Sequence, residues 1–370
     1  MDPKISLFSG IYAPETGGPA KFAQTFSEFV SRQNLSIRIF AYSRFPVFTE
    51  LNSHVELFSI SNQISIVKRF FLMIRFILDA AGLNESILIN GSFWEVAIAR
   101  HLKKFNYIAK VPGDIVWERL RNQGKTSSDV NSFQNEPLGI SSRILRYFFS
   151  YSLRKAGWVI VPSMHLGELC ESWGVQKSRI VLINNSVAVS QQRKVLQNQE
   201  EFDFVTVCRL VTWKGVDEII LSASELNANL LVIGDGPERD ALEKKASSLN
   251  ARVTFVGEIP PEEVPNYLIK CSTFVLNSNF EATSYALIEA QATGLLTIAN
   301  EGTGSEEVIT HGVTGLLCGI KSGLKLNQAM KLALESVESN QNMRLAARVS
   351  VEKNFNLEIN YRKILDLCAL

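Results

Sequence analysis

Short apolar runs of β type alternate with amphipathic helical patterns along the whole chain, and this rhythm restarts once, near the middle. Such alternation predicts parallel, doubly wound α/β sheets, because each connection must cross back over the sheet. The length of 370 residues suffices for two such domains. The predicted strands are Lys4–Phe8, Ser36–Ala41, Val55–Phe58, Ser86–Ile89, Ile108–Val111, Val159–Val161 and Ile180–Ile183 in the first half, and Phe204–Val207, Leu230–Ile233, Val253–Val256, Thr273–Leu276 and Leu296–Ala299 in the second.

A polar stretch, Gln191–Glu201, separates the two halves and has neither a strand pattern nor a wide apolar face. We interpret it as a linker between a first domain over residues 1–190 and a second over residues 200–354. A helical pattern at about residues 355–370 has no strand after it, so we expect this helix to return to the first domain. Two open sheets that face each other leave a ligand-binding cleft at the carboxyl ends of their strands.

The most specific functional signal is a pair of carboxylates around one helix start. Glu281 follows a predicted strand, and Glu289 lies eight positions later, about two turns into a helix that begins near Ser284. The amides of Ser284, Tyr285 and Ala286 belong to the first turn of that helix, where backbone donors attract anions such as phosphate. One loop can therefore present a carboxylate for hydroxyl groups, a cradle for a diphosphate and a second carboxylate.

Two cations and two glycines follow neighbouring strands of the second half. Arg209 and Lys214 come after its first strand, and Gly234 and Gly236 come after its second. The cations can neutralise a diphosphate without a metal, and the glycines permit a tight turn and a close backbone approach to a ligand. Alone, each group is better explained as a solvated loop or a plain turn. Their position at the same sheet edge as Glu281 favours a binding site.

Three further segments are weaker candidates. Gly17 and Gly18 open the first helix, where the backbone can approach a ligand; the pattern G-x-G-x-x-G is absent, which disfavours a nicotinamide site. Asp114 ends a strand of the first half, where a role near the reacting group competes with that of a turn aspartate. In the segment Gly302–Glu307, Ser305 either caps a helix or belongs to a wall of the ligand pocket.

Composition narrows the class of protein. The chain is 46% apolar and 20% charged, which is typical of folded domains, and its formal net charge of +1 argues against wholesale nucleic-acid binding. The five cysteines form no C-x-x-C pair, so they predict neither a zinc site nor a disulfide framework, and they fit buried thiols of a cytoplasmic protein. The chain shows no signal-peptide pattern and no apolar run long enough to span a bilayer.

Together these motifs resemble family 4 of the nucleotide-sugar glycosyltransferases, which have the two-domain GT-B fold. The resemblance rests on a Glu-x7-Glu pattern followed by Ala and a late Gly, on an Arg and Lys-Gly pair, and on the glycine turn after the next strand. It covers about Val205–Leu317, and Gly17-Gly18 and the terminal helix extend it to the whole architecture. The matching residues are Arg209, Lys214, Gly215, Gly234, Asp235, Gly236, Pro237, Glu281, Glu289, Ala290, Gly294, Glu307, Gly312, Thr314, Gly315 and Leu316.

The resemblance implies retaining transfer of a hexose-type sugar from a nucleoside-diphosphate sugar, with no metal and no other cofactor. Carried over, Glu281 binds hydroxyls of the donor sugar and Glu289 binds the ribose. Arg209 and Lys214 hold the diphosphate as it leaves. Members of the family are thought to react on one face of the sugar, so no protein nucleophile is required. The chain contains no Asp-x-Asp pair, which agrees with independence from a metal.

Two departures from the family pattern concern the reacting sugar. Ala282-Thr283-Ser284 stands where many members carry Gly-Phe-Gly, which keeps the amide cradle but changes the shape beside the sugar. Many members also place a histidine near the reacting sugar, and here the matching loop holds Asp114. None of the four histidines stands at an equivalent position: His54, His101, His165 and His311.

Two stretches of the first half, Lys68–Leu78 and Arg143–Lys155, are both basic and aromatic. Helices of this kind can lie in a membrane interface with their cations towards anionic lipid. They can equally pack on the sheet with the cations at the rim. Bacterial relatives often act on lipid-linked acceptors, which adds weight to peripheral contact with the inner face of the cytoplasmic membrane.

Three functions remain open on these grounds. The first is a glycosyltransferase that acts on a surface polysaccharide or a lipid-linked glycan. The second is a GT-B nucleotide-sugar epimerase, which would turn over the donor alone. The third is a non-catalytic module that binds a nucleotide sugar and neither hydrolyses nor transfers it.

Overall fold

The computed structural model describes residues 4–15, 17–43, 48–83, 85–188, 201–302 and 304–369. Nearly all of the predicted linker, Gln191–Glu201, lies outside the described residues. The chain forms two compact units, of which the first ends at Ile183 and also includes the segment that begins at Glu358. The second unit runs from Asn184 to Leu357. Each unit contains one sheet with helices around it.

The first unit is built on an eight-stranded sheet. Its strands are β1 (Ile5–Ser9), β2 (Ile37–Ser43), β3 (Phe48–Asn52), β4 (Val55–Ser61), β5 (Ser86–Asn90), β6 (Ile108–Lys110), β7 (Trp158–Val161) and β8 (Ile180–Leu182). Their order is β3-β4-β2-β1-β5-β6-β7-β8, and all pairs are parallel except β3 with β4. Every residue of β1 is buried, as expected of a central strand covered on both faces. The connecting helices are α1 (Gly18–Arg32), α2 (Ile66–Gly82), α3 (Phe93–Leu102), α4 (Ile115–Asn122), α5 (Val130–Phe133), α6 (Ile140–Lys155) and α7 (Met164–Ser172).

The second unit is built on a six-stranded parallel sheet. Its strands are β9 (Phe202–Val207), β10 (Leu230–Ile233), β11 (Val253–Gly257), β12 (Cys271–Leu276), β13 (Leu296–Asn300) and β14 (Leu316–Cys318). The order is β11-β10-β9-β12-β13-β14, so the winding reverses between β9 and β12. In open α/β sheets, ligands bind beside such a switch point. The helices are α8 (Val216–Glu225), α9 (Arg239–Ser248), α10 (Val264–Leu268), α11 (Tyr285–Thr293), α12 (Leu326–Glu335) and α13 (Val337–Asn354).

The last helix, α14 (Leu357–Cys368), packs within the first unit, as expected of a returning terminal helix. The ring of Tyr361 lies edge-on to Phe22, Phe26 and Phe29 of α1, with centroids 5.4–5.7 Å apart. Its hydroxyl lies 2.6 Å from Thr25 Oγ1. A buried aromatic cluster therefore anchors the end of the chain to α1.

Every predicted strand overlaps an observed one, and the parallel, doubly wound class is confirmed. The pattern did not predict two short strands, β3 and β14. The former is the antiparallel edge strand of its sheet, and the latter has only three residues. Short edge strands carry too few alternating positions to stand out from a loop.

Candidate functional site

Helix α11 starts and ends where the sequence predicts. Ser284 precedes it, and the Ser284 hydroxyl accepts a hydrogen bond from the Leu287 amide (3.4 Å). Gly294 ends the helix in a left-handed conformation with φ of 91°. Glu281 lies in the loop before this helix, and Glu289 is half-buried within it. The predicted placement of the two carboxylates around one helix start is confirmed.

Lys214 lies against Glu281. The Lys214 ammonium donates to Glu281 Oε1, and the two side chains are only 17% and 12% exposed. Arg209, in the same loop as Lys214, is exposed, and its guanidinium makes no hydrogen bond or ion pair with any residue that the structure describes. The two loops thus hold one charge pair and one exposed cation, and the guanidinium of Arg209 is accessible to an anionic ligand.

The loop of Arg209 packs against the glycine turn that follows β10. The Leu210 amide donates to the Asp235 carbonyl oxygen (2.9 Å). A Cβ at Gly236 would overlap the carbonyl oxygen of Leu210, and one at Gly234 would overlap that of Cys208. Gly234 also has φ of 127°, which other residues rarely adopt. The close backbone approach that these two glycines permit is to the neighbouring loop of the chain itself.

The loop after β13 lies directly behind Glu281. The Gly304 amide donates to the Glu281 carbonyl oxygen (2.7 Å), and a Cβ at Gly304 would overlap the carbonyl oxygen of Ala282. Ser305 is buried, and its carbonyl oxygen accepts from the amides of Val308 and Ile309. This loop therefore forms a rigid support for the loop that carries Glu281.

The four loops of this site follow β10, β9, β12 and β13, which are neighbours in the sheet. The carboxyl ends of parallel strands meet at one edge, so residues far apart in the sequence come together there. The structure brings together Arg209, Lys214, Gly234, Gly236, Glu281 and Ser284 in the second unit, with Tyr285, Ala286 and Glu289 on the adjoining helix.

Gly17 and Gly18 lie in the first unit. Gly17 precedes α1 with φ of 139°, and Gly18 is the first residue of that helix. A Cβ at Gly17 would lie 3.2 Å from Ile11 Cδ1. Both the positive φ and the nearby side chain favour glycine at this position.

Asp114 is fully buried, contrary to the expectation that it faces a ligand cleft. One carboxylate oxygen caps α4, accepting from the amides of Val116 and Trp117 (both 3.0 Å). The other accepts from Gln134 Nε2 (3.0 Å) and from Arg146 Nη2 (2.7 Å). With both oxygens engaged inside the unit, Asp114 contributes to the structure of this loop, and its role near the reacting sugar stays a prediction.

Asn277 belongs to none of the predicted motifs, yet the structure places it in contact with both charged loops. It is buried, and its Nδ2 donates to the Gly215 carbonyl oxygen (3.0 Å) and to Glu218 Oε2 (2.9 Å). Its position directly after a strand that ends at the site was the available signal.

Two expectations from composition concern thiols and membrane spans. All five cysteines are free, and four of them are buried. Burial raises the pKa of the Cys208 thiol, which lies near the site, to about 11. None of the helices within the described residues is long and apolar enough to cross a bilayer.

The second unit matches a known family of enzymes. Residues 189–350 match the family model described as "Glycosyl transferases group 1". N-acetyl-alpha-D-glucosaminyl L-malate synthase of Bacillus anthracis is 32% identical over 195 residues, which cover 52% of this chain and 45% of that protein. An uncharacterized glycosyltransferase of Methanocaldococcus jannaschii, MJ1069, is 22% identical over 404 residues, which cover 98% of each protein.

A solved structure resembles the whole chain. Anabaena Alr3699/HepE, determined in complex with UDP and glucose, has a TM-score of 0.76 at 17% identity and covers 99% of each chain. The fold is therefore the two-domain GT-B fold, as expected from the motifs. The family match includes all four loops of the site. The match to the Bacillus enzyme spans less than half of that enzyme's length.

Proposed function

We propose that this protein is a retaining hexosyltransferase of family 4. It moves a hexose-type sugar from a nucleoside-diphosphate sugar to a surface polysaccharide or a lipid-linked glycan. The observation that carries the proposal is the contact between Lys214 and Glu281 at the switch point of the sheet. A sugar nucleotide needs a cation for its diphosphate and an acceptor of hydrogen bonds for its sugar hydroxyls, and this pair supplies both.

The remaining contacts of the donor follow from the same edge. Arg209 is exposed beside Lys214 and meets the diphosphate from solvent. The first turn of α11, at Ser284, Tyr285 and Ala286, adds backbone amides and the positive end of the helix dipole. Glu289 then reaches the ribose. The complex of Anabaena Alr3699/HepE with UDP makes a uridine nucleotide the first donor to test.

The chemistry requires no protein nucleophile. The bond between the sugar and the diphosphate breaks while the acceptor hydroxyl attacks on the same face, and the proton of that hydroxyl passes to the leaving phosphate. Arg209 and Lys214 stabilise the charge that develops on the diphosphate. Glu281 orients the sugar through its hydroxyls. Removal of divalent cations with EDTA is expected to leave the rate unchanged, and a loss of transfer that Mg²⁺ restores would contradict this mechanism.

Donor binding is tested first by thermal shift with UDP-glucose, UDP-N-acetylglucosamine and GDP-mannose. When the free donor concentration is about a hundred times the Kd, binding raises the free energy of unfolding by roughly 2.7 kcal/mol. Release of the nucleotide is then measured with and without a glycan acceptor.

Glu281→Ala and Lys214→Ala are expected to abolish transfer while the protein stays folded, and full activity in either variant would refute the assignment. Isomerised donor without released nucleotide would identify an epimerase, and binding without turnover would identify a binding module.

We also propose contact with an anionic membrane surface through the first unit. Each of the two basic and aromatic stretches packs one face inward, and the buried side chains on these faces include Met73, Ile77, Phe149 and Leu153. Both helices nevertheless expose large apolar side chains beside exposed cations, a pattern that suits a lipid interface. The exposed apolar residues are Ile66, Val67, Phe71, Leu72, Ile140, Ile144 and Tyr147, and the exposed cations are Lys68, Arg75 and Arg143.

Vesicle sedimentation tests the membrane contact. Vesicles that contain phosphatidylglycerol are expected to bind the protein, and vesicles of phosphatidylcholine alone are not. The change Phe71→Ser combined with Ile144→Ser is expected to reduce binding by about tenfold, since each removes a large exposed apolar side chain. Leu345→Ser, which alters a side chain that is 60% exposed in the second unit, is the matched control. Equal binding by all variants would contradict the contact.

A further inference from the structure

Asn277 connects the two loops that carry the charged residues of the site. It is the first residue after β12 and only 4% exposed. The two hydrogens of its side-chain amide have separate partners, the Gly215 carbonyl oxygen at 3.0 Å and Glu218 Oε2 at 2.9 Å. Hydrogen bonds of a buried amide are costly to remove, because the groups left behind lose their partner without regaining water.

Lys214 lies between two attachment points. On one side, the Asn279 amide donates to the Trp213 carbonyl oxygen (2.9 Å). On the other, Asn277 holds the carbonyl oxygen of Gly215. The backbone on both sides of Lys214 is therefore tied to the loop that follows β12, which is the loop that carries the carboxylate opposite the lysine.

The contact at Gly215 is tight. This glycine has φ of 59° and ψ of 29°, in the left-handed region, and it immediately precedes α8. A Cβ at Gly215 would overlap the side-chain amide of Asn277 and lie 2.6 Å from the Asn277 carbonyl oxygen. The Gly215 carbonyl oxygen also accepts from the Glu218 amide (3.2 Å) as α8 begins. Asn277 thus fixes both the turn after Lys214 and the start of the following helix.

We propose that Asn277 is a positioning residue for donor binding, which sets the place of the Lys214 ammonium relative to Glu281 and so the affinity for the donor diphosphate. This inference rests on the proposed function of the site. Asn277 has no role of its own in the reaction and acts through Lys214. Its influence is therefore expected to vanish when the lysine is absent.

The variant Asn277→Asp changes the chemistry and keeps the shape. It replaces an amide that donates two hydrogen bonds with a carboxylate that faces a carbonyl oxygen and the Glu218 carboxylate. Neither group can donate to it at neutral pH, so the loops should separate. Adding Glu218→Gln restores a donor opposite the new carboxylate. We expect Asn277→Asp to raise the Kd for UDP by about tenfold and the double variant to recover most of that loss.

A double-mutant cycle with UDP as the probe tests whether Asn277 acts through Lys214. Asn277→Ala is expected to raise the Kd by about tenfold with Lys214 present and by less than about twofold in the Lys214→Met background. An equal change in both backgrounds would overturn the inference. The matched control is Asn340→Ala, which removes another buried asparagine whose Nδ2 donates to the Ala333 carbonyl oxygen (2.7 Å). This control is expected to lower stability without changing the Kd for UDP.

Failure of the inference is distinguishable from failure of the proposed function. If the unaltered protein binds no sugar nucleotide and no UDP, both are overturned. If it binds UDP and transfers sugar, and Asn277→Asp binds UDP with an unchanged Kd, only the inference is overturned. All titrations are made at a temperature where circular dichroism shows each variant to be folded.

Discussion

Lys214 and Glu281 form an ion pair at the carboxyl edge of the second sheet, although 67 positions separate them in the sequence. Their side chains are largely withdrawn from solvent, so the attraction between them is screened less than at an open surface. A diphosphate that binds Lys214 competes with Glu281 for the same ammonium group. Neutralising the carboxylate should therefore strengthen the binding of UDP alone. It should slow transfer from UDP-sugar, whose hydroxyls need that carboxylate.

The first prediction concerns Glu281→Gln, which keeps the shape of the side chain and removes its charge. We expect UDP to bind several-fold more tightly, because Lys214 loses a competing anion. Transfer from UDP-sugar should fall by about 10² or more, because the sugar loses a charged acceptor for its hydroxyls. Calorimetric titration with UDP and a nucleotide-release assay measure the two effects.

The control for this change is Glu335→Gln, which removes the carboxylate of an exposed ion pair of the second unit, with Lys331. It should alter neither UDP binding nor transfer by more than about twofold, since exposed pairs contribute little. Weaker binding of UDP by Glu281→Gln would contradict the competition between carboxylate and diphosphate.

The second prediction concerns the support behind Glu281. Gly304→Ala places a methyl group on the carbonyl oxygen of Ala282, so the loop must move. We expect a loss of about 2–4 kcal/mol in the free energy of unfolding and a fall in transfer of at least tenfold. Gly302→Ala is the control within the same loop, because nothing lies within 4 Å of its Cβ position and only its φ of 74° is unfavourable. Urea unfolding and the nucleotide-release assay measure both variants, and equal effects in the two would refute the role of close packing.

Local signals explain which parts of the site the sequence could predict. The helix from Tyr285 to Thr293 depends on its neighbours in the chain, a serine cap at Ser284 and a glycine stop at Gly294. The alternation of strands and helices likewise reveals the parallel sheets. Parallel strands share an edge, so the pattern also places the carboxylates and cations on one side of a sheet.

Contacts between segments that are far apart in the sequence could not be predicted from local patterns. The pairing of Lys214 with Glu281 requires β9 to lie next to β12, and no local pattern fixes that order. The partners of Asn277 depend on the same neighbourhood. The burial of Asp114 could not be predicted for a related reason, since it depends on Arg146, which stands 32 positions later in another helix. Position at a strand end predicts proximity to a site but not exposure to it.

The third prediction separates a structural from a catalytic Asp114. Asp114→Asn keeps an N-cap but leaves the Arg146 guanidinium without its carboxylate, where it lies between the rings of Phe133 and Trp173 at 5.5 and 5.1 Å. Breaking a buried ion pair costs about 3–5 kcal/mol, and Asp114→Asn with Arg146→Met should recover part of this loss. Transfer at low temperature, where the variants remain folded, should stay within about threefold of the original rate. A large loss of transfer with unchanged unfolding would instead support the catalytic role of Asp114.

The fourth prediction concerns the pH dependence of stability through Lys110 in the first unit. Burial lowers the pKa of Lys110 from 10.5 to about 8, and its ammonium lies 4.5 Å from the centroid of the Phe22 ring. Below pH 8 the lysine is protonated in both the folded and the unfolded chain, and the cost of burying its charge is present in full. Between pH 8 and 10.5 only the unfolded chain keeps the proton, so the contribution of Lys110 to the free energy of unfolding rises with pH.

Replacing this lysine tests the sign of the effect. Lys110→Met retains the length of the side chain and removes the charge, so it should raise the free energy of unfolding at pH 7 by about 1–3 kcal/mol. Relative to the unaltered protein, this gain should shrink as the pH rises from 8 to 10.5. Urea unfolding across that range measures the difference, with the exposed Lys125→Met as control. A gain that does not depend on pH would show that burial of the ammonium is not what Lys110 contributes to stability.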